Sequence, residues 1–373
     1  MSKPRVLVGL SGGVDSAVSA YLLKEQGYDV VAGFMKNYAD ESNPNCHTRE
    51  DRNTAIQVAQ HLEIQDFMIF DFRQEYEDRI INYIYEGYKA GITPNPDILC
   101  NNLVKFDLFL EKAMAYGFDY IATGHYARVS PVILNETKGS EESYKTQDPS
   151  PLAQDDKIYQ LLRGIDHNKD QSYFLSGLNQ YQLSKSLFPV GELTKPEVRA
   201  IAEKIGLPNA DRKDSQGLCF IGNVPMKEFL QKKLPVRKGD IILDHDKKVG
   251  EHDGARFWTI GQSRGLDLNI KAYVTSIDIT NNIVHVSYER NDPHLLHEQA
   301  ICHNWHWIDS NSETASVQVK IRYRQDPPVA AVLEPGKDNT MLVKFQEPQR
   351  GIAPGQSIVA YDGDVCLGGG VIA

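Results

Sequence analysis

Ser11-Gly12-Gly13-Val14-Asp15-Ser16 is the stretch that decides the fold. Ahead of it, Arg5-Val6-Leu7-Val8-Gly9-Leu10 is a short apolar run that reads as a buried strand. After it, residues 17–26 place Val18, Leu22 and Gln26 on one helical stripe, and Gly27 stands where a helix C-terminal glycine is expected. The glycines therefore occupy a strand-to-helix turn. Backbone N–H groups there can point at one oxyanion, and the helix N-terminus adds partial positive charge. Gly12 and Gly13 let the backbone approach a phosphate without a Cβ in the way. Ser11 and Ser16 add hydroxyl donors. A Walker A loop is excluded, because that motif spaces its glycines by four residues and follows them with Lys. The plain alternative is a small-residue turn that binds nothing.

Working outward, Asp29 to Met35 (DVVAGFM) reads as a second buried strand, so strand, helix and strand make a βαβ unit and a parallel sheet. Ligands sit at the carboxyl ends of such strands. Residues 33–35 thus lie beside the loop, where Met35 can cover an adenine face. Thr54 to Leu62 is helical by pattern, Asp66 to Phe72 is a third strand, and Glu75 to Tyr88 is a long amphipathic helix. In Thr93-Pro94-Asn95-Pro96-Asp97-Ile98-Leu99-Cys100 the two prolines point to a rigid, extended loop. Cys100 then precedes a helix over 104–116, a position where the dipole favours thiolate. An isolated cysteine can equally be a small buried hydrophobe. Asp119 to Ala122 is a further strand, with Thr123-Gly124-His125-Tyr126 on the same rim as the first loop. Ser130–Asp156 reads as a solvated insertion with little structure. Lys169-Asp170-Gln171 leads into helices, and Cys219 sits between Gly217 and Gly222.

From Pro235 the pattern changes to short strands and turns, ending in a run of strands that suggests a small β-barrel. In Val317–Arg324, Val317, Val319, Ile321 and Tyr323 alternate with Gln318, Lys320, Arg322 and Arg324. The polar stripe suits phosphate oxygens, and equally suits simple outward polarity. Cys302, His303 and His306 superficially suggest a metal set, but they lie beside Trp305 and Trp307 in a barrel-like region, and a structural role is preferred.

A chain of 373 residues predicts two or three domains, and 41% hydrophobic with 24% charged residues is ordinary for a globular protein. No apolar run reaches membrane-spanning length. The first residues enter a strand at once, leaving no room for a signal peptide. Five cysteines, an odd number, argue against a disulfide framework. A cytoplasmic location with no membrane partner is the expectation. A net charge of −10 argues against indiscriminate nucleic-acid binding, although residues 199–248 carry a local excess of Lys and Arg. Taken alone, that excess is a solvated surface.

The first loop resembles the SGGxDS pyrophosphate loop of the ATP pyrophosphatases, which cleave ATP between the α- and β-phosphates. The loop, NPD with Cys100, TGHYAR, KDQSYFL, GLCFIG and the β-rich tail occur in one order. That order resembles the tRNA-specific 2-thiouridylase family, which places sulfur on the wobble uridine using ATP. The resemblance implies an α/β fold class: a parallel-sheet ATP-pyrophosphatase domain (1–222, with the polar insertion 130–156), a small central domain (223–284) and a C-terminal, tRNA-binding β-barrel (285–373). By position it implies ATP contacts at Gly9, Leu10, Ser11, Gly12, Gly13, Val14, Asp15, Ser16, Met35 and Gly124. Asn95, Pro96 and Asp97 match the segment that meets the target base. His125, Lys169, Asp170, Gln171, Arg322, Tyr323 and Gln356 match tRNA contacts. Cys100 matches the nucleophile and Cys219 the persulfide carrier, with Asp97 as a proton shuttle. ATP with Mg2+, a tRNA substrate and a sulfur-donor protein of a persulfide relay are the implied ligands and partners. The rival readings are an ATP pyrophosphatase that amidates a small metabolite, which needs no pair of thiols, and a non-catalytic AMP- or tRNA-binding module.

Overall fold

The computed structural model describes residues 3–38, 48–133, 157–213, 225–244, 246–309 and 316–373. Cys219 and most of the 130–156 insertion lie outside these residues.

Strands β1 (Arg5–Gly9), β2 (Asp29–Lys36), β3 (Phe67–Asp71), β4 (Tyr120–Ala122) and a hairpin of β5 (Ala127–Ile133) and β6 (Lys157–Arg163) are followed by the short β7 (Ser186–Leu187). A parallel sheet forms in the order β3-β2-β1-β4-β7. Val6, Leu7 and Val8 are fully buried because both faces of β1 are covered. One face packs against helix α1 (Val14–Glu25) through Ala17, Val18 and Leu23. The other carries Leu7, Val31 and Met35 into a second core that includes Cys100, Val104 and Phe109. The chain leaves β1 toward β2 on one side and returns to β4 on the other. The loops after β1 and β4 therefore flank the switch point of the sheet, the expected place for a ligand crevice.

The prolines of residues 94–96 do not exclude a helix. Helical structure begins at Pro96, runs to Cys100, continues as π-helix over Asn101–Leu108 and ends as α-helix over Phe109–Ala115. Pro96 at the first helical position has no N–H to lose and a φ already suited to a helix. Cys100 is thus inside a helical run rather than at its entrance.

A central module follows: β8 (Gly239–Leu243), β9 (Lys247–His252), β10 (Tyr273–Asp278) and β11 (Ile283–Ser287), in the order β10-β11-β8-β9. Its own core contains Ile241, Trp258, Val274 and Val284. The last six strands are β12 (Leu296–Trp307), β13 (Ser316–Lys320), β14 (Val329–Pro335), β15 (Met341–Arg350), β16 (Ser357–Asp362) and β17 (Val365–Ile372). They close into an antiparallel barrel through the β12–β17 pairing. Strand β12 escaped the sequence reading because irregularities near His297 and His303 break its alternation. Cys302 lies in the barrel core, and His306 Nε2 lies 2.9 Å from the Leu178 carbonyl.

Two further expectations are corrected. Strand β13 ends at Lys320, so the polar stripe does not continue through Arg322 and Arg324. Lys320 points inward and is 2% exposed. Residues 130–133, read as part of the insertion, are strand: β5 pairs with β6 along its length, and β6 pairs with β17 (Cys366 opposite Leu161). The insertion thus leaves the tip of a hairpin that extends the barrel sheet.

Candidate functional site

The loop after β1 is built as a cradle. Gly12 has φ +80°, and a Cβ there would lie 2.6 Å from the Asp51 carbonyl oxygen. Gly13 is the N-cap of α1. The Ser16 hydroxyl donates to the Gly13 carbonyl (3.1 Å) and accepts from Ser11 N–H (3.2 Å), which closes the turn. Gly124, from the loop after β4, presses on the first turn of α1, and a Cβ there would lie 2.6 Å from Ser16 N. The N-terminal amides of a helix lack intrahelical acceptors. A glycine at 124 keeps their approach clear, so the cradle fits a phosphate. Met35, at the carboxyl end of β2, lies against Gly9 on the same rim.

The cradle also has cations that its own sequence lacks. Lys195 Nζ donates to Asp15 Oδ1 at 2.7 Å, and Tyr126 Oη donates to the same oxygen at 2.8 Å. The Gly12 carbonyl accepts from Asn209 Nδ2 (2.9 Å) and Arg212 Nη1 (3.1 Å), while Arg212 also pairs with Asp51. Sequence reasoning missed Lys195, Tyr126, Asn209 and Arg212. The local signals were weak: Tyr126 stands in the rim loop 123–126, Arg212 in the basic stretch 199–248, and Thr194 with Glu197 forms the capping box that starts the helix carrying Lys195.

His125 is buried rather than presented on the surface. Its Nδ1 is 2.7 Å from Thr123 Oγ1, Lys105 Nζ is 3.5 Å from its Nε2, and the rings of Phe106 and Phe188 pack on it. Burial, helped by the Lys105 charge, holds its pKa well below the ordinary histidine value. Lys105 stands five residues after Cys100 on the same helical run. The Cys100 run and the phosphate cradle therefore meet at the loop after β4.

Residues 169–171 connect the modules. Asp170 is buried and accepts from Arg163 Nε (3.1 Å), Lys320 Nζ (3.3 Å), Gly164 N–H (3.2 Å) and Ser172 N–H (3.0 Å). Its carboxylate is committed to holding the barrel, which corrects its expected place in a surface contact. Gln171 exchanges two bonds with the Tyr126 backbone, at 3.0 and 2.8 Å. Lys169 is half-buried.

The loop before Cys100 is gripped from two sides. Thr93 N–H donates to the Pro354 carbonyl (3.0 Å), its carbonyl accepts from Gln356 Nε2 (2.8 Å), and its hydroxyl meets that of Thr259 (2.9 Å). Asn95 and Asp97 are half-buried and Pro96 is buried. Tyr323 packs on Phe174 with ring centroids 4.3 Å apart, and burial is the main cause that pushes its pKa up to about 12. The Arg322 guanidinium donates to the carbonyls of Arg350 and Gly351. It lines a cavity of about 290 Å³ with Thr259, Gln262, Gly351 and Gln356. Cys100 is 0% exposed.

Among the described residues no group of three or more His, Cys, Asp or Glu side chains is placed to hold a metal ion, and no helix is long and apolar enough to cross a membrane.

Comparison with known proteins agrees with this architecture. Residues 4–223 match the family described as tRNA methyl transferase HUP domain, residues 227–288 its PRC-barrel domain, and residues 297–372 the aminomethyltransferase beta-barrel domain. The tRNA-specific 2-thiouridylase MnmA of Bordetella petrii is 44% identical over 99% of this chain and 96% of its own. That of Halalkalibacterium halodurans is 45% identical over 99% and 94%, and that of Ralstonia pickettii 43% over 100% and 97%. With identity at this level along its whole length, the chain belongs to the tRNA-specific 2-thiouridylase family.

Proposed function

We propose that this chain catalyses the ATP-dependent 2-thiolation of the wobble uridine of tRNA. The observation that carries the reading is the meeting of the phosphate cradle and the Cys100 run at the loop after β4, where Lys105 reaches His125 beside Gly124. Residues 9–16, Met35 and Gly124 hold ATP, and Mg2+ would neutralise charge on its phosphates. ATP supplies AMP as a leaving group in place of the C2 oxygen, a poor one. Asn95, Pro96 and Asp97 receive the base. Extruding it from its stack costs a few kcal/mol, and RNA contacts at Lys169, Arg322, Tyr323 and Gln356 offset that cost.

Cys219 carries the sulfur as a persulfide delivered by a donor protein. Cys100 attacks the inner sulfur of that persulfide, a Cys100–Cys219 disulfide forms, and the outer sulfur leaves as hydrosulfide, which attacks C2 and expels AMP; an external thiol then reduces the disulfide for the next turnover. The N-terminal 222 residues perform the chemistry, and residues 223–284 and 285–373 grip the RNA.

The test is incubation with tRNA, ATP, Mg2+ and a persulfide donor, followed by mass analysis of the wobble nucleoside. Exchange of one oxygen for sulfur is the expected result. AMP release with an unaltered nucleoside, insensitive to thiol alkylation, would overturn the reading in favour of amidation of another acceptor.

A further inference from the structure

Thr93 is three residues ahead of Pro96, yet none of its polar groups serves the loop it belongs to. Its N–H is taken by Pro354 and its carbonyl by Gln356, both from the barrel, and its hydroxyl by Thr259 of the central module. Gly355 packs directly over Ile92 and Thr93, where any Cβ would collide with both. Two of the three side chains or segments that hold Thr93 also line the 290 Å³ cavity between barrel and central module, namely Thr259 and Gln356. The third wall of that cavity is Arg322, a guanidinium already held in place by main-chain carbonyls and repelled by the neighbouring Arg350. A pre-positioned cation of this kind favours an anion, and the phosphodiester of a single-stranded RNA segment supplies one.

We propose that Thr93 is a positioning residue: through its bonds to Thr259 and Gln356, RNA lodged in the barrel–central cavity sets the register of Asn95, Pro96 and Asp97 over the target base. The inference rests on the RNA-thiolating function proposed above. It follows from geometry in one respect that the function alone does not require. The base-binding segment belongs to the first module, but its anchor is supplied by the other two. A shift of either module against the first moves Thr93, and Thr93 moves the segment that leads into the Cys100 helix.

The test uses the full-length protein with three substitutions. Thr93→Val keeps the shape and removes the hydroxyl, Thr93→Ser keeps the hydroxyl, and Thr259→Val removes its partner. Thr93→Val is expected to lower kcat for thiolation roughly fivefold to tenfold, the value of about one hydrogen bond. RNA affinity should change less than about twofold, because Arg322 and the cavity are intact. Thr93→Ser should restore kcat, and Thr259→Val should reproduce the Thr93→Val defect without adding to it in the double variant. An unchanged kcat in Thr93→Val overturns the inference. So does an equal fall in RNA affinity and kcat that tracks a lowered unfolding midpoint, the signature of a merely structural contact. Wild-type protein that thiolates no tRNA marks failure of the functional reading instead.

Discussion

Cys100 and His125 illustrate how burial sets chemistry at single residues. A thiol with no exposed surface, in one core with Val104 and Phe109, can react only when its cover moves. Cys100→Ser is expected to lower thiolation at least a hundredfold, far more than the modest drop in unfolding midpoint from placing a hydroxyl in an apolar core would explain. Nucleoside mass analysis paired with thermal unfolding checks both halves. His125 is kept neutral by desolvation first and by Lys105 second. Its folded pKa lies below the unfolded value of about 6.5, so the unfolded chain binds the extra proton. Stability is therefore unaffected above about pH 6.5 and falls as the pH drops through it, by up to about 1.4 kcal/mol per pH unit for this group. Denaturant midpoints measured from pH 8 to 5 should show the decline, and His125→Gln should make it shallower. His252, also lowered chiefly by burial, adds to the decline.

At the level of elements, a strand-to-helix turn was readable because glycine spacing, apolar strand and helical stripe agree locally. Gly12 meets the expectation in two independent ways, a left-handed φ and a backbone neighbour where a Cβ would go. Gly12→Ala should cost roughly 1–2 kcal/mol for the backbone conformation alone. It should also weaken ATP binding, because Asp51 or the loop must give way. Denaturation and ATP titration of the same variant measure the two effects. The loop before Cys100 was less readable. Two prolines suppress a helix in its interior but favour one at its start, and only the backbone path shows which position Pro96 holds. The same limit applied to β13, where alternation of residue types runs past the end of the strand and gives Lys320 the wrong face.

For the whole molecule, the decisive feature is that the first module and the barrel share a sheet and a buried ion network. Strand β6 pairs with β17, and Arg163, Asp170 and Lys320 meet beneath Tyr361, with Lys320 Nζ 5.4 Å from that ring. The Asp170 carboxylate bridges two buried cations from different modules, and Arg163 also pairs with Asp326 at 3.2 Å. Asp170→Ala takes away the ion-pair partner of the buried Lys320, leaves Arg163 with Asp326 alone, and should destabilise the protein by roughly 3–5 kcal/mol. A denaturation curve that loses cooperativity between the N-terminal module and the barrel would accompany that loss. A variant as stable as the wild type would show that the network is not what holds the modules together.

The amino-acid order alone determined the parallel sheet, the glycine-bearing strand-to-helix turn, the change to short strands near residue 235 and the barrel, since each depends on periodicity and turn chemistry within some ten residues. Only the tertiary structure decided which side chains serve those elements. Lys195 reaches Asp15, Thr93 is held by the barrel and central module, and Asp170 is drawn into the interior beside Lys320. Such pairings join residues more than a hundred positions apart, and charge or polarity at one position carries no record of the partner that the folded chain will bring to it.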